Sequence, residues 1–232
     1  MKVDMHVHTL KSSCSLNPIR LLKKLCSKMG ILPFICDHNT LTKTDFGIPG
    51  EEISTDRGEF IGLFLNEAVN DRDIFEAMDK VKEQGGLIYL PHPFDENRGR
   101  SLCRYNILND REFKKRVDIV EVFNSRCRDN RPNEMAYQYA KMNNMLMGVG
   151  SDSHFPWELG NAYLILEEEF DRDNPKDFLR VLKKNNKSGF KYYGKLGSPI
   201  NMICSKISKK INNSGSLRLP KLKFNKDMIR YL

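Results

Sequence analysis

No run of roughly 18 consecutive apolar residues occurs anywhere in the 232-residue chain, which argues against a hydrophobic spanning helix. The opening Met1-Lys2-Val3-Asp4 lacks the basic-then-apolar order of a secretory leader, so a cytoplasmic protein with no membrane partner is expected. Paired cysteines are missing as well. The 6 cysteines, Cys14, Cys26, Cys36, Cys103, Cys127 and Cys204, include no C-x-x-C pair, so neither a disulfide framework nor a zinc ribbon is indicated and reduced thiols are expected. With 40% hydrophobic and 29% charged residues the composition is that of an ordinary folded globular chain, with room for one large domain and at most a small appendage.

Acidic residues are scarce at one end only. Residues 195–232 carry 9 Lys and Arg against a single acid, Asp227, which leaves 29 of each sign in residues 1–194. The body is therefore neutral, and the whole +8 excess sits in a basic C-terminal extension that begins near Lys195. A concentrated positive segment is the footprint of nucleic-acid contact or of a solvated extension without a partner. Its only aromatics are Phe224 and Tyr231, too few for a platform that stacks single-stranded bases.

What the chain does have is alternation. Seven short runs rich in Val, Ile, Leu and Phe read as strands: Val3 to His8, Leu32 to Asp37, Glu59 to Leu65, Leu87 to Pro91, Ile119 to Phe123, Leu146 to Gly150 and Ala162 to Leu166. Helical patterns fall between or after them, at Pro18 to Met29 with Asn17 as its cap and Gly30 as its stop, at Asp71 to Gln84, at Asn133 to Met142 and at Lys176 to Lys184. Repeated β-α units predict an α/β fold with a largely parallel sheet, open or closed into a barrel.

All five histidines fall at or just beyond predicted strand ends, in Asp4-Met5-His6-Val7-His8, Asp37-His38-Asn39, Pro91-His92-Pro93 and Ser151-Asp152-Ser153-His154. Side chains at i and i+2 of a strand share a face, so His6 and His8 point into one pocket, as do Asp152 and His154 if that strand continues. Pockets of parallel β/α folds lie at the carboxyl ends of the strands, where four separate strands deliver these groups. Imidazole with carboxylate is the ligand set of hydrolytic Zn, Mn or Fe sites. Gly50-Glu51-Glu52-Ile53-Ser54-Thr55 adds two glutamates, either of which can bridge metals or simply face solvent. Two metals sharing a carboxylate acidify a bridging water, giving a nucleophile without Ser or Cys chemistry.

The ordered set His6-Val7-His8-Thr9, Asp37-His38-Asn39-Thr40, Gly50-Glu51-Glu52-Ile53-Ser54-Thr55, Pro91-His92-Pro93-Phe94, Glu121-Val122-Phe123-Asn124 and Gly150-Ser151-Asp152-Ser153-His154 resembles the polymerase and histidinol phosphatase (PHP) domain family over roughly residues 1 to 190. The resemblance implies a distorted seven-stranded (β/α)7 TIM-like barrel, here residues 1–194, and a phosphoesterase with two or three divalent ions. Carried over, His6, His8, Glu52 and Asp152 form one metal site, Glu52 bridges to a second that includes His92, and His38 and His154 serve a third. Glu52 rather than Glu51 fits the family's Gly, any residue, Glu, Ile or Leu, Ser pattern.

The chain departs from that pattern at Ser13 and Cys14, where members with three metals carry Asp or His, at Glu59, where some have histidine, and after the fifth expected strand, where Asn124 or Cys127 stands in for a ligand. Among Arg126, Arg128 and Arg131, Arg126 is the expected phosphate-holding residue, since a guanidinium fork suits phosphate; Arg98 and Arg100 invite the same argument. Asp37 is expected to orient a ligand or accept a proton.

The expected activity is hydrolysis of a phosphomonoester, be it a nucleotide, an oligonucleotide end or a small metabolite, by a metal-bridging hydroxide. The alternatives are a 5′-end nuclease of the same family, a catalytically weak metal- or nucleic-acid-binding module, and an amidohydrolase, for which no bridging lysine is evident. Expected partners are a phosphorylated small molecule or nucleic acid, the latter through residues 195–232.

Overall fold

In a computed structural model that describes residues 1–213, the predicted alternation becomes a sheet wrapped by helices. The strands are β1 (Lys2–Val7), β2 (Ile31–His38), β3 (Ile48–Thr55), β4 (Gly58–Leu63), β5 (Leu87–Leu90), β6 (Ile119–Asn124), β7 (Leu146–Gly150), β8 (Ala162–Ile165) and β9 (Tyr192–Gly194). The helices are α1 (Ile19–Met29), α2 (Ile74–Glu83), α3 (Arg111–Arg116), α4 (Arg131–Met142), α5 (Pro175–Lys187) and α6 (Pro199–Asn213).

The strands form one sheet in the order β7-β6-β5-β4-β3-β2-β1-β8-β9. Pairing is parallel for β1 with β2, β2 with β3, β5 with β6 and β6 with β7, and antiparallel around β4 and β8. The sheet curls until β7, at one end, comes back to β1. Val7 pairs in parallel with Ser153 just beyond β7, and the Ser151 N–H donates to Asp4 Oδ1 at 2.9 Å. The result is a nearly closed, barrel-like α/β fold.

All seven expected strands form, but the expected count of seven is too low among the described residues, because β3 and β9 join them. Strand β3 reads Ile-Pro-Gly-Glu-Glu-Ile-Ser-Thr, and proline, glycine and two adjacent glutamates oppose a strand by propensity. It forms because β2 and β4 pair with it on both sides. A two-residue turn at Asp56-Arg57 joins it to β4, and Gly58 supplies the required positive φ of 106°.

Strands buried on both faces need apolar residues throughout, unless polar ones serve a site. In β1, Val3, Met5 and Val7 are fully buried and alternate with equally buried Asp4 and His6. The apolar series joins one large cluster with Phe34, Ile53, Phe60, Tyr89, Val149, Leu164 and Phe178, plus a smaller one under α1 made by Val7, Leu22, Cys26, Ile35 and Leu159.

Asn17, expected to cap α1, makes no such bond. Its amide instead donates to the carbonyls of His8 and Ser153, each at 3.0 Å, and so ties the two ends of the barrel together. Gly30 does stop α1, at φ 64°.

The extension from Lys195 begins with backbone bonds to the barrel, Lys195 N to Asn161 O at 2.7 Å and Gly197 N to Ser125 O at 2.6 Å, and continues as α6. The rest of the basic segment, including Phe224 and Tyr231, lies outside the described residues. Among the described residues no helix is long and apolar enough to cross a membrane.

Closure at β7 leaves no room for a side chain at Gly150, where an added Cβ falls 2.3 Å from His6 Cβ and 2.5 Å from Glu121 Oε1. We expect Gly150→Ala to cost about 1–3 kcal/mol of stability by overpacking, read as a lower urea midpoint at unchanged m-value.

Candidate metal centre

The carboxyl ends of the parallel strands deliver the site. His8 follows β1, His38 ends β2, Glu52 lies within β3, His92 follows β5, and Asp152 and His154 follow β7. His92 and Asp152 occupy the left-handed region, with φ of 30° and 53°. Non-glycine residues are uncommon in that region, Asp and His entering it more readily than most, and such positions gather at functional sites.

Hydrogen bonds assign the histidine tautomers. Ser12 Oγ donates to Asp37 Oδ1 at 2.7 Å, so toward His8 Nδ1, 3.1 Å away, it accepts. His8 therefore carries its proton on Nδ1 and turns the Nε2 lone pair inward. Asp37 accepts from Thr9 N, Thr9 Oγ1 and Thr42 Oγ1 as well, at 2.6–2.7 Å, so its carboxylate is fully engaged in holding the loop after β1. Through Ser12 it also bears on His8.

His6 Nδ1 lies 3.1 Å from Glu121 Oε1. Glu121 also accepts from Tyr89 Oη, Asn124 Nδ2 and His92 N at 2.7–3.0 Å, so it serves as a saturated carboxylate that turns His6 Nε2 inward. His154 Nδ1, 2.8 Å from the Asp152 carbonyl, is fixed in the same way.

Four ligand atoms then converge. His6 Nε2 is 3.0 Å from His8 Nε2, 3.5 Å from Glu52 Oε2 and 3.7 Å from Asp152 Oδ1, while His8 Nε2 is 3.3 and 3.4 Å from the same two oxygens. Both oxygens are buried and accept no hydrogen bond of good geometry, their nearest further donors being His38 Nδ1 at 3.0 Å from Glu52 Oε2 and His154 Nδ1 at 3.2 Å from Asp152 Oδ1, and buried His92 Nδ1 also lacks a partner. Buried polar atoms are nearly always satisfied, so this concentration of orphans marks where a cation fits. An ion bonded to four such ligands at about 2.0–2.1 Å in a tetrahedron would hold them about 3.3–3.4 Å apart, matching the cage.

Three further groupings adjoin it, each with ligand atoms within 4.8 Å of one another: His6, His92 and Asp152; His8, His38 and His154; His38, Glu52 and Glu59. All seven residues expected as ligands are thus brought together. Glu59 joins them although it was read only as a departure from a histidine pattern. The signal was its place opposite Ser54 across the β3–β4 hairpin, on the face of Glu52.

Electrostatics bind the cluster together. Burial alone would push the Glu52 carboxyl up, but His38 and His6 beside it hold it well below the usual range. Burial likewise opposes ionisation of Asp152, yet Arg98 and His6 keep it well below normal. His154 is driven well down by burial and by His8, whereas Glu59 is pushed up by burial and by Glu52.

Several expectations change. Arg126 is not free for phosphate: Nη1 bonds both Glu158 oxygens at 2.9 and 2.8 Å, and Nη2 reaches the Asn201 carbonyl and Ser205 Oγ. Its fork is spent on the protein, and Arg98 occupies the position at the site instead, 2.6 Å from Asp152 Oδ2 and 3.0 Å from Asp95 Oδ2. Asn124 donates to Glu121 and Asp152 and is absorbed in supporting them. Cys127 is buried, its thiol pushed up by burial, and it belongs to none of the ligand groupings among the described residues. Cys14 hydrogen-bonds His38. Glu51 does not face solvent but is buried, with Oε2 accepting from Val69 N at 3.0 Å.

The sequence profile described as PHP-associated matches residues 130–186. An uncharacterised protein of Methanocaldococcus jannaschii is 53% identical over 231 residues, which cover 91% of this chain and 98% of that protein. The chain belongs to the PHP domain family. Solved structures share the fold. A two-domain protein from Bacteroides vulgatus, described as containing a predicted PHP-like metal-dependent phosphoesterase, shares 15% identity at a TM-score of 0.61 over 90% of this chain and 69% of that one. A Chromobacterium violaceum protein described as an amidohydrolase shares 15% identity at a TM-score of 0.54 over 78% of this chain and 96% of that one.

Two outcomes follow for this PHP centre. Ser12→Ala, which removes the group that sets the His8 tautomer, is expected to weaken Zn²⁺ affinity about 10- to 100-fold in chelator competition. Because bound imidazoles must be neutral, and against the pull of burial the carboxylates of Asp152, Glu121 and Glu52 hold His6, and Glu52 holds His38, protonated well above the usual imidazole range, metal uptake displaces protons and affinity should go on rising with pH past neutrality, with proton release visible by calorimetry in buffers of different ionisation enthalpy.

Proposed function

We propose that this PHP protein is a metal-dependent phosphoesterase that hydrolyses a phosphomonoester: a nucleotide, an oligonucleotide end or a small phosphorylated metabolite. The observation that carries the reading is the cage of His6, His8, Glu52 and Asp152, in which two buried carboxylate oxygens face only imidazole nitrogens and accept no hydrogen bond of good geometry. His92, His38, His154 and Glu59 extend the same cluster and suit a second and a third ion. Bound Zn, Mn or Fe, held by these residues, would supply Lewis acidity and lower the pKa of a water, so that a hydroxide nucleophile would be available near neutral pH.

The protein's own groups supply the rest. Glu121, Ser12 and the Asp152 carbonyl keep the lone pairs of His6, His8 and His154 aimed inward. His38, whose side chain is 32% exposed while those of His6, His8, His92 and His154 are at most 5% exposed, marks the side from which substrate enters. Arg98 bonds Asp152 while keeping 18% of its side chain exposed, so its fork can meet phosphate oxygens and stabilise charge that grows on them. Backbone and side-chain bonds to Asp95 and Asn124 fix that arginine before substrate arrives.

A 5′-end nuclease of the same chemistry is the second reading, and the excess of bases over acids in residues 195–232 favours it. An amidohydrolase, the description given to the Chromobacterium violaceum neighbour, draws no support from a buried lysine, since none occurs among the described residues.

The test is incubation with Mn²⁺ and either p-nitrophenyl phosphate or a 5′-phosphorylated oligonucleotide, beside Asp152→Asn. Release of phosphate that is abolished by Asp152→Asn and by chelation is expected; mononucleotides among the products select the nuclease; no metal-dependent turnover of either probe counts against the reading. Arg98→Ala should lower kcat by about 10²–10³-fold.

A further inference from the structure

Arg126 and Glu158 form a charged pair buried from solvent, at 7% and 0% exposure, outside the ring of metal-facing side chains. Burying two charges costs more than packing two apolar groups of the same size, so such a pair is retained where direction matters. Each of their bonds points somewhere specific. Glu158 Oε2 accepts the backbone N–H of His154 at 2.8 Å and of Phe155 at 3.0 Å, which fixes the turn that carries the His154 ring. Arg126 Nη1 grips both oxygens of that carboxylate. Its Nη2 reaches across to α6, donating to Ser205 Oγ at 2.9 Å and to the Asn201 carbonyl at 3.3 Å.

A second link runs through the same arginine, whose backbone N–H donates to Asn124 Oδ1 at 2.8 Å while Asn124 Nδ2 bonds Asp152 at 3.3 Å. Trp157 adds a third, donating from Nε1 to Asn201 Oδ1 at 3.3 Å. Among its described side chains helix α6 turns polar Asn201, Ser205 and Ser208 inward and leaves Ile200, Ile203 and Ile207 exposed, and Asn201 and Ser205 make the bonds to Arg126 and Trp157. A contact made of a few directed bonds transmits position; a greasy one would tolerate sliding.

We propose that Arg126 and Glu158 are positioning residues through which helix α6 of the C-terminal segment holds His154 at the metal centre, so that the ion bound by His38 and His154 depends on the docking of that segment. The inference rests on reading the cluster as a metal centre. It makes the start of the basic extension a supporting wall of the site.

The experiment is Zn²⁺ binding by the full-length chain, measured by chelator competition, with His154→Ala, Glu158→Gln and Ser205→Ala variants. Glu158→Gln is expected to weaken about 10- to 100-fold the same Zn²⁺ that His154→Ala releases, while the ion in the His6–His8 cage keeps its affinity. Ser205→Ala, which deletes a single hydroxyl on α6 and leaves the fold intact, is expected to weaken the same ion in smaller measure. Its effect should also be non-additive with that of Glu158→Gln in the double variant. Wild-type affinity for every ion in both variants overturns the proposal and leaves the metal centre standing. So does a His154→Ala variant that releases no Zn²⁺. A wild-type chain that binds no Zn²⁺ overturns the metal centre and this proposal together.

Discussion

Two imidazoles and two carboxylates, driven together where water is scarce, are the constraint on which this structure turns. His6 Nε2 and His8 Nε2 lie 3.0 Å apart, with Glu52 Oε2 and Asp152 Oδ1 beside them. Such an arrangement is stable only with positive charge at its centre, and the protein builds outward from that requirement. Glu121 collects four donors, Asp37 collects four and Asn124 links two carboxylates, so each ligand is held by a neighbour whose bonding is complete. Support of this kind separates a cage from a chance meeting of side chains.

The barrel is what makes the meeting possible. His6, Glu52, Glu121 and Asp152 are remote in sequence and lie on or just after four strands, and only a sheet that curls until Val7 meets Ser153 brings them to one point. The close approach of Gly150 to His6 and the bridge made by Asn17 belong to the same closure. The left-handed backbone at His92 and Asp152 shows where the chain accepts local strain to aim a ligand. Architecture and site are thus a single solution: the ends of the strands close the fold and present the chemistry.

Much of this was legible from residues alone. The H-x-H of His6 and His8, the Asp152–His154 pair and the isolated His38 and His92 sit at strand ends, and period-two geometry says that alternate residues share a face. Strand β3 was not legible, since Pro49, Gly50 and two glutamates argue against a strand until neighbours on both sides supply its hydrogen bonds. Helix α6 was hidden for a related reason: its inward face is Asn201, Ser205 and Ser208, and no apolar stripe announces a buried side made of polar residues.

The choice between Arg98 and Arg126 marks the limit most sharply. Both follow strand ends, both offer the same fork, and local sequence places either beside a phosphate. The outcome depended on Glu158 and Ser205, 32 and 79 residues away from Arg126, which take its donors, and on Asp95 and Asp152, which draw Arg98 inward. Glu59 entered the cluster in the same way, through the register of a hairpin whose first strand was unreadable. The sequence by itself determined the ligand types and the strand alternation, because side-chain chemistry and period-two spacing are local properties. Which loop residue turns inward was decided by tertiary structure, because that depends on the hydrogen-bond partners that distant segments bring and on which donors they leave unspent.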